Sequence, residues 1–183
     1  MTIYMTYDLK VAGLTRALQI CKVTNDLSIA AFIMLGDVEL TVACAKELLK
    51  KCPDFDILLT AEAKSIPLIH EMARQSGKFI YCVARKSQKV YTINPLVVNV
   101  KSITTKNEQS LYLGCDDAAR LNKKRILIVD DVISTGESLF ALEKLAKEAG
   151  GEIVGKAAVL AEGDAAERKD IIFLEKLPLI FTV

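Results

Sequence analysis

The chain has 183 residues and a formal net charge of +1, because 24 Lys and Arg residues are balanced by 23 Asp and Glu residues. A chain of this length can bury an adequate core without disulfides or metals, so we predict one domain over residues 1–183. Acidic and basic residues are interspersed, which offers no bulk attraction for nucleic acid or for a membrane surface, and we expect neither as a partner.

The five cysteines indicate a reducing compartment. Their number is odd and no C-x-x-C motif occurs, as is typical of free thiols in a cytoplasmic protein. The sequence has no run of about 18 apolar residues, and its first residues do not have the layout of a signal peptide. We therefore expect a cytoplasmic protein without a membrane span.

Short apolar runs alternate with helical repeats along most of the chain. This alternation predicts an α/β fold, in which helices flank a central, mostly parallel sheet with right-handed crossovers. Residues 86–114 differ, because polar and β-branched residues alternate there around a polar loop at 104–110, and this pattern predicts an antiparallel hairpin. The other predicted elements are a strand-like segment at 27–35, a helix at 37–51, a strand at 55–60, a helix at 65–76, a strand at 79–84, a strand at 125–129, a helix at 138–149, a strand at 152–160 and a further strand near 170–174.

A polar turn, Glu62-Ala63-Lys64-Ser65, follows the strand at 55–60 and leads into a helix. A lysine and a hydroxyl at a helix N-terminus suit a polyanion, because the free N–H groups and the helix dipole are positive there. The same residues would also serve as an ordinary helix cap beside a solvated lysine. The turn alone leaves both interpretations open.

A basic cluster, formed by Arg85, Lys86 and Lys89, follows the strand at 79–84. Such a cluster is usually a solvated loop. In an open parallel sheet, however, ligands bind at the carboxyl ends of the strands, where this cluster and the turn at 62–65 both lie.

The stretch from Arg125 to Ser138 carries the most specific pattern. A buried-strand run, Ile126 to Val129, is followed by Asp130 and Asp131 and then by a hydroxyl-bearing turn at a helix N-terminus. The turn suits a phosphate, whereas the two carboxylates suit sugar hydroxyls or a hydrated Mg²⁺, so the pattern predicts a sugar-phosphate site. A helix cap beside a solvated strand end is the structural alternative. The turn residues are Val132, Ile133, Ser134, Thr135, Gly136, Glu137 and Ser138.

A hydrophobic run, D-D, three residues, T-G-x-[ST] and a helix together resemble the phosphoribosyl diphosphate (PRPP) signature of type I phosphoribosyltransferases. The turn at 62–65 and the pair Arg85-Lys86 resemble the purine branch, in particular adenine and xanthine phosphoribosyltransferases, and the resemblance covers roughly residues 50 to 160. It implies the type I phosphoribosyltransferase fold, with a flexible β-hairpin loop over the reacting sugar. It also implies a small hood that reads the base, built from residues 1–36 and the C-terminal segment.

The resemblance implies transfer of a 5-phosphoribosyl group from PRPP to a purine base, with Mg²⁺ held mainly by PRPP and water rather than by a direct protein ligand. Adenine is the expected base, and xanthine or another 6-oxopurine is the alternative within the same reaction. A non-catalytic regulatory protein that binds PRPP is the alternative from another class. A homodimer is expected from the resemblance as well.

Site roles follow from the same resemblance. Asp130 and Asp131 would accept hydrogen bonds from the ribose hydroxyls, with Asp131 also close to the base. Residues 132–138 would hold the 5-phosphate. Glu137 departs from the family, in which a Gly, basic or neutral residue is usual, so we expect its carboxylate to point outward. The diphosphate would be held by Glu62, Ala63, Lys64, Ser65, Arg85, Lys86 and Lys89.

Two further candidates are weaker. Glu108 is the only acid in the predicted loop at 104–110, where adenine phosphoribosyltransferases place a Glu near the leaving group and base, but it also suits an ordinary exposed loop. Phe32 could stack on a purine, but a Phe in the sequence A-A-F-I-M-L also suits the core.

Overall fold

A five-stranded sheet lies at the centre of the chain, in a computed structural model that describes residues 5–101 and 108–181. The strands are β1 (Thr6–Val11), β2 (Leu14–Lys22), β3 (Leu27–Ala30), β4 (Ile57–Ala61), β5 (Tyr81–Ala84), β6 (Leu96–Lys101), β7 (Glu108–Leu113), β8 (Arg125–Ile133), β9 (Glu152–Glu162), β10 (Ile172–Leu177) and β11 (Leu179–Phe181). The helices are α1 (Val38–Lys51), α2 (Ile66–Gln75), α3 (Cys115–Leu121) and α4 (Glu137–Glu148), and a short 3-10 turn spans Gly163–Glu167.

The central sheet has the order β10-β9-β8-β4-β5, and all four neighbouring pairs are parallel. The α/β prediction with a mostly parallel sheet is therefore confirmed. Because the strands are parallel, β4, β5, β8 and β9 end at the same edge of the sheet. The motifs at 62–65, 85–89 and 130–138 lie at or next to the ends of the strands at this edge.

Both faces of the sheet are covered, which is why its strands are almost continuously apolar. In β8, Leu127 and Val129 pack into a core with α1, α2 and the N-terminal strands. Ile126 and Ile128 alternate with them and pack into a second core with α3, α4 and the hairpin. The two cores hold β8 rigidly, so the side chains at its carboxyl end have a fixed position.

A small antiparallel sheet joins the two ends of the chain, with the order β1-β2-β3-β11. Strand β11 pairs with β3, for example Ile180 with Ser28, and so brings the C-terminal segment to the N-terminal one. The sequence predicts that these two segments together form a hood. Their part in binding a base stays a prediction.

Several element boundaries differ from the sequence predictions. Strand β3 ends at Ala30 rather than near residue 35, whereas β8 continues through Asp130 and Asp131 to Ile133. The hairpin is present as β6 and β7, and their antiparallel pairing extends from Leu96 with Leu113 to Lys101 with Glu108. Its tip, residues 102–107, lies outside the described residues. Helix α3 and the β1–β2 pair do not appear among the predictions.

None of the helices within residues 5–101 and 108–181 is long and apolar enough to cross a membrane. All five cysteines lie in this part of the chain and are free thiols.

Candidate functional site

Two adjacent carboxylates, Asp130 and Asp131, lie near the carboxyl end of β8, inside the strand rather than after it. The side chain of Asp131 is buried, at 3% exposure. Burial and the neighbouring charge of Asp131 raise the pKa of Asp130 to about 7, against its ordinary value of 3.8. The fold therefore holds two acids close together in a place that opposes the charge on at least one of them.

The turn at 62–65 meets this acid pair. Lys64 Nζ lies 3.3 Å from Asp131 Oδ2, and Ser65 Oγ donates a hydrogen bond to Asp130 Oδ1 at 2.8 Å. Although the Lys64 ammonium is within ion-pair distance, the buried Asp131 Oδ2 has no hydrogen-bond partner among the described residues. A buried oxygen without a hydrogen bond is unusual. Asp131 Oδ2 can therefore accept a hydrogen bond from a hydroxyl group of a ligand.

Ser65 has a different position from the one the sequence predicts. It precedes the first residue of α2 but makes no side-chain capping bond there, and it is only 2% exposed. The Ser65 hydroxyl donates its hydrogen bond to Asp130, so in this structure it is not free to donate to a diphosphate. It joins the turn at 62–65 to the acid pair instead.

Glu62 joins the same turn to the basic cluster. Its carboxylate accepts a hydrogen bond from the backbone N–H of Lys86 at 2.7 Å and lies 3.2 Å from Arg85 Nη1. Burial opposes the charge on Glu62, but the hydrogen bonds from Lys86 and Arg85, together with the charges of Arg85 and Lys89, lower the pKa of Glu62. Of the other basic side chains, Lys89 bonds locally to Ser87 at 2.8 Å. The cluster therefore lies next to the turn at 62–65, as the strand-end argument predicts.

A polar pocket of about 50 Å³ lies between β8 and the start of α4. It is lined by Asp130 and by residues 132–139, which include the predicted phosphate turn. Gly136 has φ of +81°, in the left-handed region that glycine adopts without strain. Helix α4 begins at the next residue, so its free N–H groups lie at this pocket and suit an anion.

Glu108 and Phe32 are the two weaker candidates of the sequence. Glu108 is the first residue of β7 rather than a loop residue, and it pairs with Lys101. Strand β7 reaches the basic cluster at Tyr112, which exchanges two backbone hydrogen bonds with Arg85. Four residues of strand span about 13 Å, so Glu108 lies at the far end of the hairpin from this contact.

Phe32 is a core residue, at 4% exposure, packed with Met34 and Leu40. The core alternative for Phe32 is therefore the one that the structure supports, because a buried ring has no free face on which a base could stack. The neighbouring residue Ile33 is exposed.

Glu162 is a further carboxylate at this edge of the sheet, and the sequence motifs do not indicate it. It ends β9, beside the register pair of Ile133 with Ala161 that closes the β8–β9 ladder. Burial raises the pKa of Glu162, while the charge of Lys64 lowers it by less. The signal that could have found it is the one that works elsewhere at this edge, a polar residue that ends a buried apolar run.

The same edge of the sheet thus carries three kinds of chemistry. Carboxylates suited to sugar hydroxyls lie between a pocket suited to a phosphate and a basic cluster suited to a polyanion. The described residues contain no group of three or more His, Cys, Asp and Glu side chains placed to hold a metal ion.

Known proteins match the chain over most of its length. The family model described as phosphoribosyl transferase domain matches residues 39–180. The hypoxanthine/guanine phosphoribosyltransferase of Methanococcus voltae is 34% identical over 115 residues, which are 63% of this chain and 57% of that protein. The adenine phosphoribosyltransferase of Corynebacterium jeikeium is 31% identical over 148 residues, which are 80% of this chain and 68% of that protein. The chain thus spans between about half and two thirds of the length of these relatives.

Solved structures agree in fold. The adenine phosphoribosyltransferase of Thermoanaerobacter pseudethanolicus superposes with a TM-score of 0.67 at 21% identity, over 94% of this chain and 95% of that one. The yeast enzyme from Saccharomyces cerevisiae, solved with adenine bound, superposes with a TM-score of 0.60 at 16% identity, over 76% of this chain and 79% of that one. At these identities the likeness concerns the fold.

Proposed function

This chain belongs to the phosphoribosyl transferase family, in its type I purine branch, and we propose that it transfers the 5-phosphoribosyl group of PRPP to a purine base. The observation that carries the proposal is the meeting of two motifs about 65 residues apart in sequence. Lys64 lies 3.3 Å from Asp131 and Ser65 lies 2.8 Å from Asp130, so one sugar diphosphate can contact both motifs.

PRPP has three parts, and each has a matching region at the strand ends. The 5-phosphate binds in the pocket of residues 132–138, on the free N–H groups of α4. The ribose hydroxyls bind Asp130 and Asp131. The diphosphate lies toward the turn at 62–65 and the basic cluster.

Lys64 has two roles in this proposal. Before the substrate binds, its ammonium offsets the charge of Asp131. A ribose hydroxyl that donates to Asp131 Oδ2 satisfies the unbonded oxygen and releases Lys64 to the diphosphate. Together with Arg85, Lys86 and Lys89, Lys64 then stabilises the negative charge that grows on the leaving group.

Mg²⁺ fits this site as an ion carried by the substrate, because the described residues place no set of metal ligands of their own around the acids. When bound, Mg²⁺ would lower the charge on the departing diphosphate. The chain's residues do the rest. Asp130 and Asp131 fix the ribose and favour the cationic, oxocarbenium-like sugar that a purine ring nitrogen attacks, and no covalent intermediate with the protein is needed.

We propose adenine as the base. The turn Glu62-Ala63-Lys64-Ser65 and the pair Arg85-Lys86 support the adenine or xanthine branch, and an adenine phosphoribosyltransferase matches 80% of this chain. A 6-oxopurine is the second candidate, because a hypoxanthine/guanine phosphoribosyltransferase is similarly close at 34% identity. The odd number of free cysteines supports a cytoplasmic location.

The test is a steady-state assay with PRPP, Mg²⁺ and each of adenine, hypoxanthine, guanine and xanthine. Release of diphosphate with adenine, and at least tenfold less with the other bases, is the expected result. Preference for one of the other three bases would replace adenine but keep the reaction. Binding of PRPP without turnover of any base would contradict the enzyme and favour a PRPP-binding regulator.

The matched variant is Asp131→Asn, which keeps the size of the side chain but removes its charge. We expect turnover to fall by about 100-fold or more, as for the loss of other preorganised charges in active sites, with an unchanged circular dichroism spectrum. Unchanged turnover would contradict the role given to Asp131.

A further inference from the structure

Arg168 lies against the phosphate turn, although the two are about 30 residues apart in sequence. It follows the 3-10 turn Gly163–Glu167, and its Nη1 atom lies 3.0 Å from the point that a Cβ atom on Gly136 would occupy. The guanidinium therefore contacts the one residue of the turn that has no side chain. The side chain of Arg168 is one third exposed, at 33%.

The guanidinium is held in place by a chain of ion pairs. Arg168 Nε and Nη2 donate to the two oxygens of Asp170 at 2.9 and 2.7 Å, a bidentate arrangement that leaves Nη1 on the side of Gly136. Asp170 also accepts from Lys156 on β9 at 2.5 Å, and Lys156 donates to Glu143 on α4 at 3.1 Å. Arg168 is thus tied through Asp170 and Lys156 to β9 and to α4, the helix that begins at the turn.

Arg168 does not line the phosphate pocket, whose walls are Asp130 and residues 132–139. Its approach to the turn is at Gly136, where Nη1 lies 3.0 Å from the point that a Cβ atom would occupy. Gly136 is in the left-handed conformation, at φ of +81°, and this conformation sets the directions of the N–H groups on either side of it. A planar group held this close to Gly136 limits the movement of the turn, and a turn held in place binds its ligand at a lower entropic cost.

We propose that Arg168 is a positioning residue for the 5-phosphate, which acts through Gly136 and is itself held by Asp170. The identity of the ligand rests on the proposed function, but the binding of a phosphate to this turn does not require turnover. A side chain that only stabilised the fold would affect all ligands alike. A side chain that positions this turn affects ligands with a 5-phosphate and spares those that bind at residues 62–65 and 85–89.

The experiment uses the full chain and two probes, ribose 5-phosphate and inorganic diphosphate, with binding measured by calorimetry and KM and kcat measured for PRPP. For Arg168→Ala we expect at least tenfold weaker binding of ribose 5-phosphate and a diphosphate affinity within about twofold of wild type. KM for PRPP should rise more than kcat falls. Asp170→Asn should act in the same direction, because it removes half of the bidentate contact that orients the guanidinium.

Arg168→Lys should rescue only part of the loss, because an ammonium cannot form the two parallel bonds of a guanidinium to a carboxylate. Should Arg168→Ala fail to fold, Arg168→Lys and Asp170→Asn carry the test. The matched control is Arg74→Ala. Arg74 makes an equally bidentate pair with Glu71, at 2.8 and 2.7 Å, at the end of α2, and its loss should leave ribose 5-phosphate binding unchanged.

Wild-type affinity for ribose 5-phosphate in all Arg168 and Asp170 variants would overturn the proposal, and so would an equal loss of both probes. Failure of the wild-type protein to bind ribose 5-phosphate would overturn it as well. A wild-type protein that binds ribose 5-phosphate but turns over no base would contradict the proposed enzyme, while the selective loss in Arg168→Ala would still support the inference.

Discussion

Asp130 is the residue at which the needs of the fold and of the site conflict. Burial and the charge of Asp131 raise its pKa to about 7, while the hydrogen bond from Ser65 lowers it. Between about pH 4 and pH 7 the folded protein therefore keeps a proton that the unfolded chain has released. Stability that depends on this proton is present at low pH and is lost as the pH rises toward 7.

We predict that Asp130→Asn stabilises the folded protein at pH 8 but abolishes most of its turnover. The amide keeps an acceptor for Ser65 and removes the charge that desolvation and Asp131 oppose. A chain of this size gains about 2–4 °C in Tm for each kcal/mol, so a rise of several degrees is expected at pH 8 and little change near pH 4. Thermal unfolding at the two pH values measures this difference.

The control for this prediction is Asp56→Asn. The side-chain hydrogen bond of Arg125 lowers the pKa of Asp56 to about 2, so removing the Asp56 charge should lower Tm at pH 8 or leave it unchanged. A loss of Tm in Asp130→Asn at pH 8 would show that its charge is not opposed by the fold.

A second prediction concerns Ser65, whose hydroxyl bonds to Asp130 at 2.8 Å. The hydrogen bond favours the charged carboxylate, so Ser65→Ala should raise the pKa of Asp130 further. Because the charged form is the one that acts in the proposed reaction, the acidic limb of kcat/KM should move to higher pH. Ser76→Ala is the control, since its hydroxyl bonds only to backbone carbonyls at the end of α2. If the acidic limb of kcat/KM in Ser65→Ala stays at the wild-type pH, the hydrogen bond from Ser65 does not control the charge of Asp130.

At the scale of elements, the alternation of strands and helices was sufficient to predict the central sheet and the edge at which its polar motifs meet. The carboxyl ends of parallel strands lie at the same edge, so the sequence predicts that polar residues after separate apolar runs lie near one another. The length of β8 could not be predicted, because two adjacent aspartates indicate a strand end by composition, whereas here the ladder to β9 continues past them.

The contacts between the motifs could not be predicted from the sequence, for a different reason. Ser65 bonds to Asp130 and Arg168 lies against Gly136 because of how α2 and the turn after β9 pack, and nothing in the local pattern marks either pair. Helix α3 has only seven residues, too few for a helical repeat to be recognised.

The β1–β2 hairpin was missed because its turn is Ala12-Gly13 rather than Asn-Gly or Asp-Gly. Both residues have positive φ, 52° and 79°, as a type I′ turn requires, and Ala is strained there.

We predict that Ala12→Asn stabilises the protein by about 0.5–1 kcal/mol, since Asn tolerates this conformation better. Thermal unfolding measures the gain, and Ala12→Val, which adds a β-branched side chain at the same φ, should lower Tm. Equal Tm values in the two variants would contradict the prediction.

At the scale of the whole molecule, exposed apolar residues lie on both sides of β5, which is the edge strand of the central sheet. Phe79 and Ile80 precede the strand, and Val90, Tyr91 and Ile93 follow it, all of them exposed. Exposed apolar residues are typical of surfaces that contact another protein chain. Val90, Tyr91 and Ile93 follow Arg85 in the chain, so a second copy placed along this edge would lie near the basic cluster.

We therefore predict a homodimer that contacts along the β5 edge, with a mass in solution twice that of the chain. Phe79, at 98% exposure, is the residue to change, because a charge introduced there costs nothing in the free chain but is costly when it is buried without a partner in an interface. Phe79→Glu should give a monomer by light scattering on a sizing column. Phe140→Glu is the matched control, since Phe140 is an exposed Phe on α4 rather than next to β5, and it should leave the dimer intact. A wild-type monomer, or a dimer that survives Phe79→Glu as well as Phe140→Glu, would contradict an interface at this edge.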